Sequence, residues 1–407
     1  MNTSFKQGLA RATGLTRSGN LQEATALIQS LLQQGKAPAD MSDADNVIDG
    51  DVIEGDFINL DTAPTPKARN AGHARFGTGP STGPSSGPRT GSRSGRRPLS
   101  EVLRKIAAGG MPGHAPGATE APCVPDGAAF LSLSHVSAAG SRDYRLYVPA
   151  NAPDAPMPLI VMLHGCTQTP EDFATGTGMN ALADEFGCLV AYPGQPAGAN
   201  AQKCWNWFRP EDQARGRGEP AIIAGIARDI LKRHAVDPAR VYAAGLSAGG
   251  AAAAILGNAY PDIFAAIGVH SGLPAGGAQD IPSAFTAMRT GAPGNPQAVF
   301  VPTIVFHGLS DQTVHPANGR AVLDRMVEID PNLTRRTVRG ATAGGRTHSH
   351  TSHMSRSGRS MAEHWEIDGA AHAWSGGQAG GSYTDPTGPD ASREMLRFFL
   401  QHAGGQQ

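Results

Sequence analysis

Ser247 stands in Gly245-Leu246-Ser247-Ala248-Gly249, between a short apolar run holding Val241 and Tyr242 and an alanine-rich stretch, residues 251–256. The run reads as a buried strand and the alanines as a helix. A G-x-S-x-G turn between strand and helix strains the serine backbone and lifts its hydroxyl above the sheet. The helix N-terminus behind it favours negative charge. Ser247 is therefore the nucleophile candidate. The pattern alone is weak in a chain of 52 glycines, and it recurs around Ser81 and Ser85. Those copies lie in Gly/Pro/Ser-rich chain with no strand before and no helix after, so they are compositional.

A serine hydroxyl attacks a carbonyl efficiently only when a base takes its proton and a third group orients that base. Behind such an elbow the acid and the histidine should follow in that order, each just past a strand. Asp311 follows the apolar run Val305-Phe306-His307, and His372 lies in Gly369-Ala370-Ala371-His372 after Trp365-Glu366-Ile367. Asp324, Asp330 and Asp368 are rivals out of place. His307 precedes the acid and reads as a packed or bridging histidine. The tetrahedral oxyanion needs two backbone N–H donors. These are expected from Ala248 and from Cys166 in the loop His164-Gly165-Cys166-Thr167, with Thr167 second. Gly165 permits the turn that aims those amides inward.

Two tryptophans in Cys204-Trp205-Asn206-Trp207-Phe208 and a third at Trp374 suit an apolar acyl or aryl group, although one ring can serve as a buried loop anchor. Trp205, Trp207 and Trp374, with His164, are the candidates for substrate contact. His348, His350 and His353 form the densest histidine cluster, and a polar hairpin or loop fits their spacing better than a metal site.

The elements that must carry these residues alternate. A hairpin over residues 130–137 and 142–148, turning at Gly140, precedes the continuous apolar strand 159–163. Then follow a helix 170–186, a strand 188–192, a helix 220–234 and the elbow. Strands 265–270 and 302–307, helix 318–329, strand 363–367 and helix 389–402 complete the order. Such alternation predicts an α/β, mostly parallel, doubly wound sheet with the leading hairpin as its antiparallel edge.

Before it, residues 8–35 place Leu21, Ala24, Leu27, Ile28, Leu31 and Leu32 on one helical stripe that needs a partner surface. Residues 40–61 carry eight acids and no base, and residues 62–98 carry seven Lys/Arg and no acid among many Gly, Pro and Ser. That composition reads as disordered linker. The expected organisation is a helical segment 1–36, a linker 37–125 and a catalytic domain 126–403. A formal charge of −1 gives no electrostatic case for nucleic acid. No apolar run is long enough to span a bilayer. Without a secretory signal, and with four sparse cysteines, the expectation is a cytoplasmic protein with reduced thiols.

Taken together, His164-Gly165-Cys166-Thr167-Gln168, the Cys204–Phe208 segment, the Ser247 elbow, Gly369 to Gly377 and the tail Ser382-Tyr383-Thr384-Asp385-Pro386 resemble the PHB (polyhydroxybutyrate) depolymerase family of esterases. The resemblance spans roughly residues 126–402. It implies an α/β-hydrolase fold, a Ser247–Asp311–His372 triad, no metal or organic cofactor, and ester hydrolysis through an acyl-serine. Poly- or oligo(3-hydroxybutyrate) is the expected substrate, with feruloyl, acetyl-xylan or short acyl esters as the alternative. A granule- or partner-binding protein working through residues 8–35 is the reading of another class. The resemblance leaves open whether Cys166 and Cys204 are bonded.

Overall fold

A computed structural model describes residues 122–153, 155–293, 299 and 301–404. The expected N-terminal helix and nearly all of the expected linker lie outside the described residues. The described residues open with an antiparallel hairpin, β1 (Ala129–Ser137) and β2 (Gly140–Val148), as the alternation predicts. Next come β3 (Met157–Leu163), α1 (Pro170–Thr177), α2 (Met179–Phe186) and β4 (Leu189–Pro193), then α3 (Gly218–Arg233). The elbow joins β5 (Val236–Leu246) to α4 (Ala248–Ala259). After it run β6 (Ala266–His270), α5 (Ile281–Thr290), β7 (Thr303–Gly308) and α6 (Ala317–Ile329). A second hairpin, β8 (Thr334–Ala341) and β9 (Thr347–Met354), leads to β10 (Ser360–Ile367). The two-residue strands β11 (Trp374–Ser375) and β12 (Thr384–Asp385) pair with each other, and α7 (Ala391–Phe399) closes the fold.

One ten-stranded sheet runs in the order β1-β2-β4-β3-β5-β6-β7-β10-β9-β8. Its centre, β4 to β10, is parallel, and both edges are antiparallel. Strand β3 shows why its centre is uniformly apolar. Successive side chains point to opposite faces, so Leu159, Val161 and Leu163 join the core under α3 and α4, while Ile160 and Met162 join the core under α1, α2 and α7. A central strand covered on both faces has no polar side to show.

Three expectations need correction. The helix expected over 170–186 is two, because Gly178 adopts a left-handed φ of 62° that ends α1 and starts α2. Helix α5 was not foreseen, although Asp280 and Ser283 form a capping box at its start. The hairpin β8–β9 forms a second antiparallel edge. Strand β8 is exposed along almost its whole length and carries Arg335, Arg336 and Arg339. His348, His350 and His353 lie on β9, where His350 stacks on Trp365 at 4.1 Å and meets Glu363 at 3.0 Å.

Candidate active site

Every expected catalytic group sits at the C-terminal end of a parallel strand, where loops of an open α/β sheet converge. Ser247 follows β5 with φ 58° and ψ −118°, left-handed backbone that a non-glycine residue adopts only when its surroundings impose it. Its N–H donates to the His270 carbonyl at 2.8 Å, and its own carbonyl accepts the N–H of Ala251 at 3.0 Å. These bonds tie the elbow to β6 on one side and to α4 on the other. A Cβ on Gly245 or Gly249 would meet backbone, the Leu163 carbonyl oxygen at 2.6 Å and the His164 carbonyl oxygen at 2.6 Å respectively. Only glycines let α4 and the β3 loop come this close.

Asp311 and His372 are brought together by neighbouring strands. β7 and β10 pair in parallel, and the pairing continues past their ends as Leu309 N–H to Ile367 O, 2.9 Å, and Ser310 N–H to Ala370 O, 3.0 Å. Asp311 Oδ2 accepts from His372 Nδ1 at 2.7 Å, while Oδ1 accepts the N–H groups of Thr313 at 2.8 Å and Val314 at 2.9 Å. Burial alone would raise the Asp311 carboxyl. The hydrogen bonds from His307 and His372, the neighbouring imidazole charge and the Val314 amide outweigh it and hold the group far below the usual carboxylate range. His307 is the bridging histidine: Nε2 donates to the Val314 carbonyl at 2.9 Å and lies 3.5 Å from Asp311 Oδ2.

Ser247 and His372 line one small cleft of about 10 Å³, together with Gly165, Cys166, Gln168, Leu246 and Tyr383. The loop after β3 thus borders the same cleft as the serine. Thr167 is the weaker choice for the second amide, because its N–H already donates to the Gln202 carbonyl at 2.7 Å. Cys166 forms a disulfide with Cys204, which corrects the expectation of reduced thiols for this pair.

The four residues expected to touch substrate are placed differently. His164, Trp205 and Trp374 are 1%, 0% and 1% exposed, and Trp207 is buried too. His164 Nδ1 donates to the Gly165 carbonyl at 2.8 Å and Nε2 accepts the Gln195 N–H at 3.0 Å. Burial pushes its pKa down to about 4, so the ring is a neutral brace. Trp205 Nε1 donates to the His164 carbonyl at 3.1 Å, and Trp374 Nε1 donates to Ser392 Oγ at 3.0 Å. The polar edges of His164, Trp205 and Trp374 are satisfied internally, so these three rings support the loops that shape the cleft.

Sequence reasoning missed the polar frame behind that loop. Gln168 accepts the Gly165 N–H at 2.9 Å and donates to Asp172 at 2.9 Å. Asp172 also holds Ser382 through its N–H at 2.8 Å, which fixes Tyr383 at the cleft. On the other side, Glu219, raised by burial, accepts from the N–H of Asn206 at 2.7 Å and from Gln195 at 2.5 Å. No local spacing announces such contacts. The only signal was that Gln168, Ser382 and Tyr383 belong to the quoted motifs.

A serine on a left-handed elbow, an imidazole in its cleft and a buried carboxylate on that imidazole define the α/β-hydrolase class. Residues 142–331 match the family described as Esterase PHB depolymerase. The chain is 34% identical over 264 residues to poly(3-hydroxyalkanoate) depolymerase C of Paucimonas lemoignei, covering 59% of this chain and 61% of that one. It is 30% identical over 211 residues to feruloyl esterase B of Neurospora crassa, covering 46% of this chain and 70% of that one. The fold is similar to that of acetyl xylan esterase from Aspergillus awamori, with TM-score 0.52, 19% identity, and 64% of this chain and 94% of that one covered. Over residues 142–331 the chain belongs to the PHB depolymerase family of esterases. It spans less than two thirds of the length of the depolymerase it matches.

Proposed function

We propose that the protein is a serine carboxylic-ester hydrolase acting on poly- or oligo(3-hydroxybutyrate)-type esters. The observation that carries this reading is the shared cleft of Ser247 and His372, with Asp311 bonded to the far side of the imidazole. In this reading His372 Nε2 takes the Ser247 proton as Oγ attacks the ester carbonyl. Asp311 holds the imidazole in the productive tautomer and stabilises its cation. The amides of Ala248 and Cys166 receive the oxyanion. The ester C–O bond breaks, the leaving alcohol takes the proton from His372, and water repeats the cycle on the acyl-serine.

Hydrolysis of p-nitrophenyl butyrate beside 3-hydroxybutyrate oligomers tests it. Ser247→Ala should lower both rates by roughly 10⁴–10⁶-fold. Unchanged rates would remove the triad assignment. A feruloyl-ester hydrolase is the second reading, favoured by the Neurospora relative; faster turnover of methyl ferulate than of the oligomers would select it.

A cytoplasmic location with residues 8–35 on a granule surface completes the proposal and rests on the sequence of that stripe. The Cys166–Cys204 disulfide pulls the other way, because such bonds persist mainly in oxidising compartments. Among the described residues no helix is long and apolar enough to cross a membrane. Co-sedimentation with polyester granules, lost on deleting residues 1–36, supports the attachment; binding unchanged by that deletion overturns it.

A further inference from the structure

A second, larger cleft of about 770 Å³ opens beside the first, between the β1–β2 hairpin, the start of α1 and the loop after β4. Gln168 lines both clefts, so both border the loop after β3. Two of the three cations in the larger cleft are paired. Arg145 is bonded to Glu171 at 2.6 Å, and Arg142 reaches the buried Glu219 at 3.4 Å. Lys203 also lines the cleft, and among the described residues no carboxylate pairs with its ammonium.

The root of this lysine is held with unusual firmness. Lys203 has a left-handed φ of 52°, a conformation that costs a long side chain energy and persists where the surroundings impose it. Its N–H donates to the Asn200 carbonyl at 2.8 Å, and the carbonyl of the preceding Gln202 accepts the Thr167 N–H at 2.7 Å. The following residue, Cys204, is bonded covalently to Cys166. Residues 202–204 are thus fastened at both sides to the loop whose Cys166 lines the cleft of the nucleophile. The backbone from which Lys203 springs is fixed to that loop, and its side chain lines the larger cleft.

We infer that this cleft is a subsite for the free carboxylate end of a hydroxyacid oligomer, and that Lys203 is its specificity-determining cation. The inference rests on the polyester reading above and refines it. When an oligomer is cut near its carboxyl end, the alcohol product is a short hydroxyacid that carries the terminal carboxylate. An ammonium beside the leaving-group side of the cleft would select that end and set the position of attack. Ser132, Ser134 and Thr169 in the same cleft offer hydroxyl donors to the ester carbonyls between. Asp143 on β2 lines the cleft as well and repels a carboxylate from the hairpin side, leaving Lys203 as the favoured seat.

The test compares the 3-hydroxybutyrate trimer as free acid with its methyl ester, on the full chain. Wild type should favour the free acid by roughly tenfold in kcat/KM, the scale of one charged hydrogen bond, mostly through KM. That preference should fall to near one in Lys203→Met, which keeps the apolar stem, and return in Lys203→Arg. Rising salt should erode it, since the cleft is open to solvent. Equal rates on acid and ester in wild type, or a preference that survives Lys203→Met, would overturn the subsite. If neither trimer is cut while p-nitrophenyl butyrate is, the polyester reading itself fails and the subsite falls with it.

Discussion

At the scale of single residues, the geometry assigns Asp311 an orienting task that a neutral amide cannot perform. Its Oδ2 bonds His372 while Oδ1 takes two backbone amides. Asp311→Asn would keep the shape but present an N–H or a weaker acceptor to Nδ1, favouring the wrong tautomer. We expect kcat to fall roughly 10⁴-fold with circular dichroism unchanged; a fall below tenfold would mean His372 is oriented by something else. The positions of Ser247, Asp311 and His372 were legible because each follows an apolar run in a fixed order. The tryptophans were not. Type and neighbourhood mark an aromatic residue as large and apolar, but which wall it faces is decided by loop packing, and here Trp205 and Trp374 turn inward to bond His164 and Ser392.

At the scale of elements, the loop after β3 depends on its tether. The disulfide closes a loop with sequence separation 38, which the chain-entropy account values at about 4 kcal/mol. Cys204→Ser should lower the unfolding free energy by a few kcal/mol. It should also reduce kcat, approaching the roughly 10²-fold loss of one oxyanion donor if the Cys166 amide drifts. Denaturant melts and turnover measured together would check both; a variant less stable but equally fast would separate the tether from catalysis. Gly249→Ala should be worse than either, because its methyl would meet the backbone of Leu163 and His164 rather than a movable side chain. Loss of soluble protein or of both fold and activity is expected; a folded, active Gly249→Ala enzyme would contradict the close approach. The elbow was readable from the change of pattern at Ser247. The β8–β9 hairpin was harder, since Thr-Arg-Arg-Thr-Val-Arg-Gly-Ala and Thr-His-Ser-His-Thr-Ser-His-Met have little apolar alternation to display. Their pairing is fixed by register against β10.

At the scale of the whole molecule, buried imidazoles set the response to acid. Burial pushes His164, His364 and His402 down to about 4, and His270 well below its ordinary value. The unfolded chain takes up protons near 6.5 while the folded chain resists, so stability is full above about pH 6.5 and drains as pH falls toward 4. A fall from 6.5 to about 4 is worth ~3 kcal/mol per imidazole. The depressed carboxylates act lower: Glu363, held near 2 against burial by His350 and Arg397, gives up its contribution only below about pH 4. Urea midpoints should therefore drop steeply between pH 7 and pH 4.5, and less steeply in His402→Gln. Equal midpoints at the two pH values would contradict neutral burial of these rings. The mostly parallel sheet was legible from alternation; its second antiparallel edge was not, because an exposed edge strand satisfies itself with solvent and leaves no apolar trace.

That edge bears on how copies of the protein behave in concentrated solution. An open strand rim is a template on which another chain can add, the usual start of sheet-to-sheet clumping. Here the rim is β8, and any second copy approaching it strand to strand brings its own Arg335, Arg336 and Arg339 toward the same residues. At low ionic strength the two guanidinium rows repel across about one Debye length, and at 1 M salt that range shrinks to roughly 3 Å. Light scattering of a concentrated sample should thus stay flat in dilute buffer and rise with added sodium chloride, the reverse of ordinary salting-in, and replacing the three arginines with serine should remove the difference.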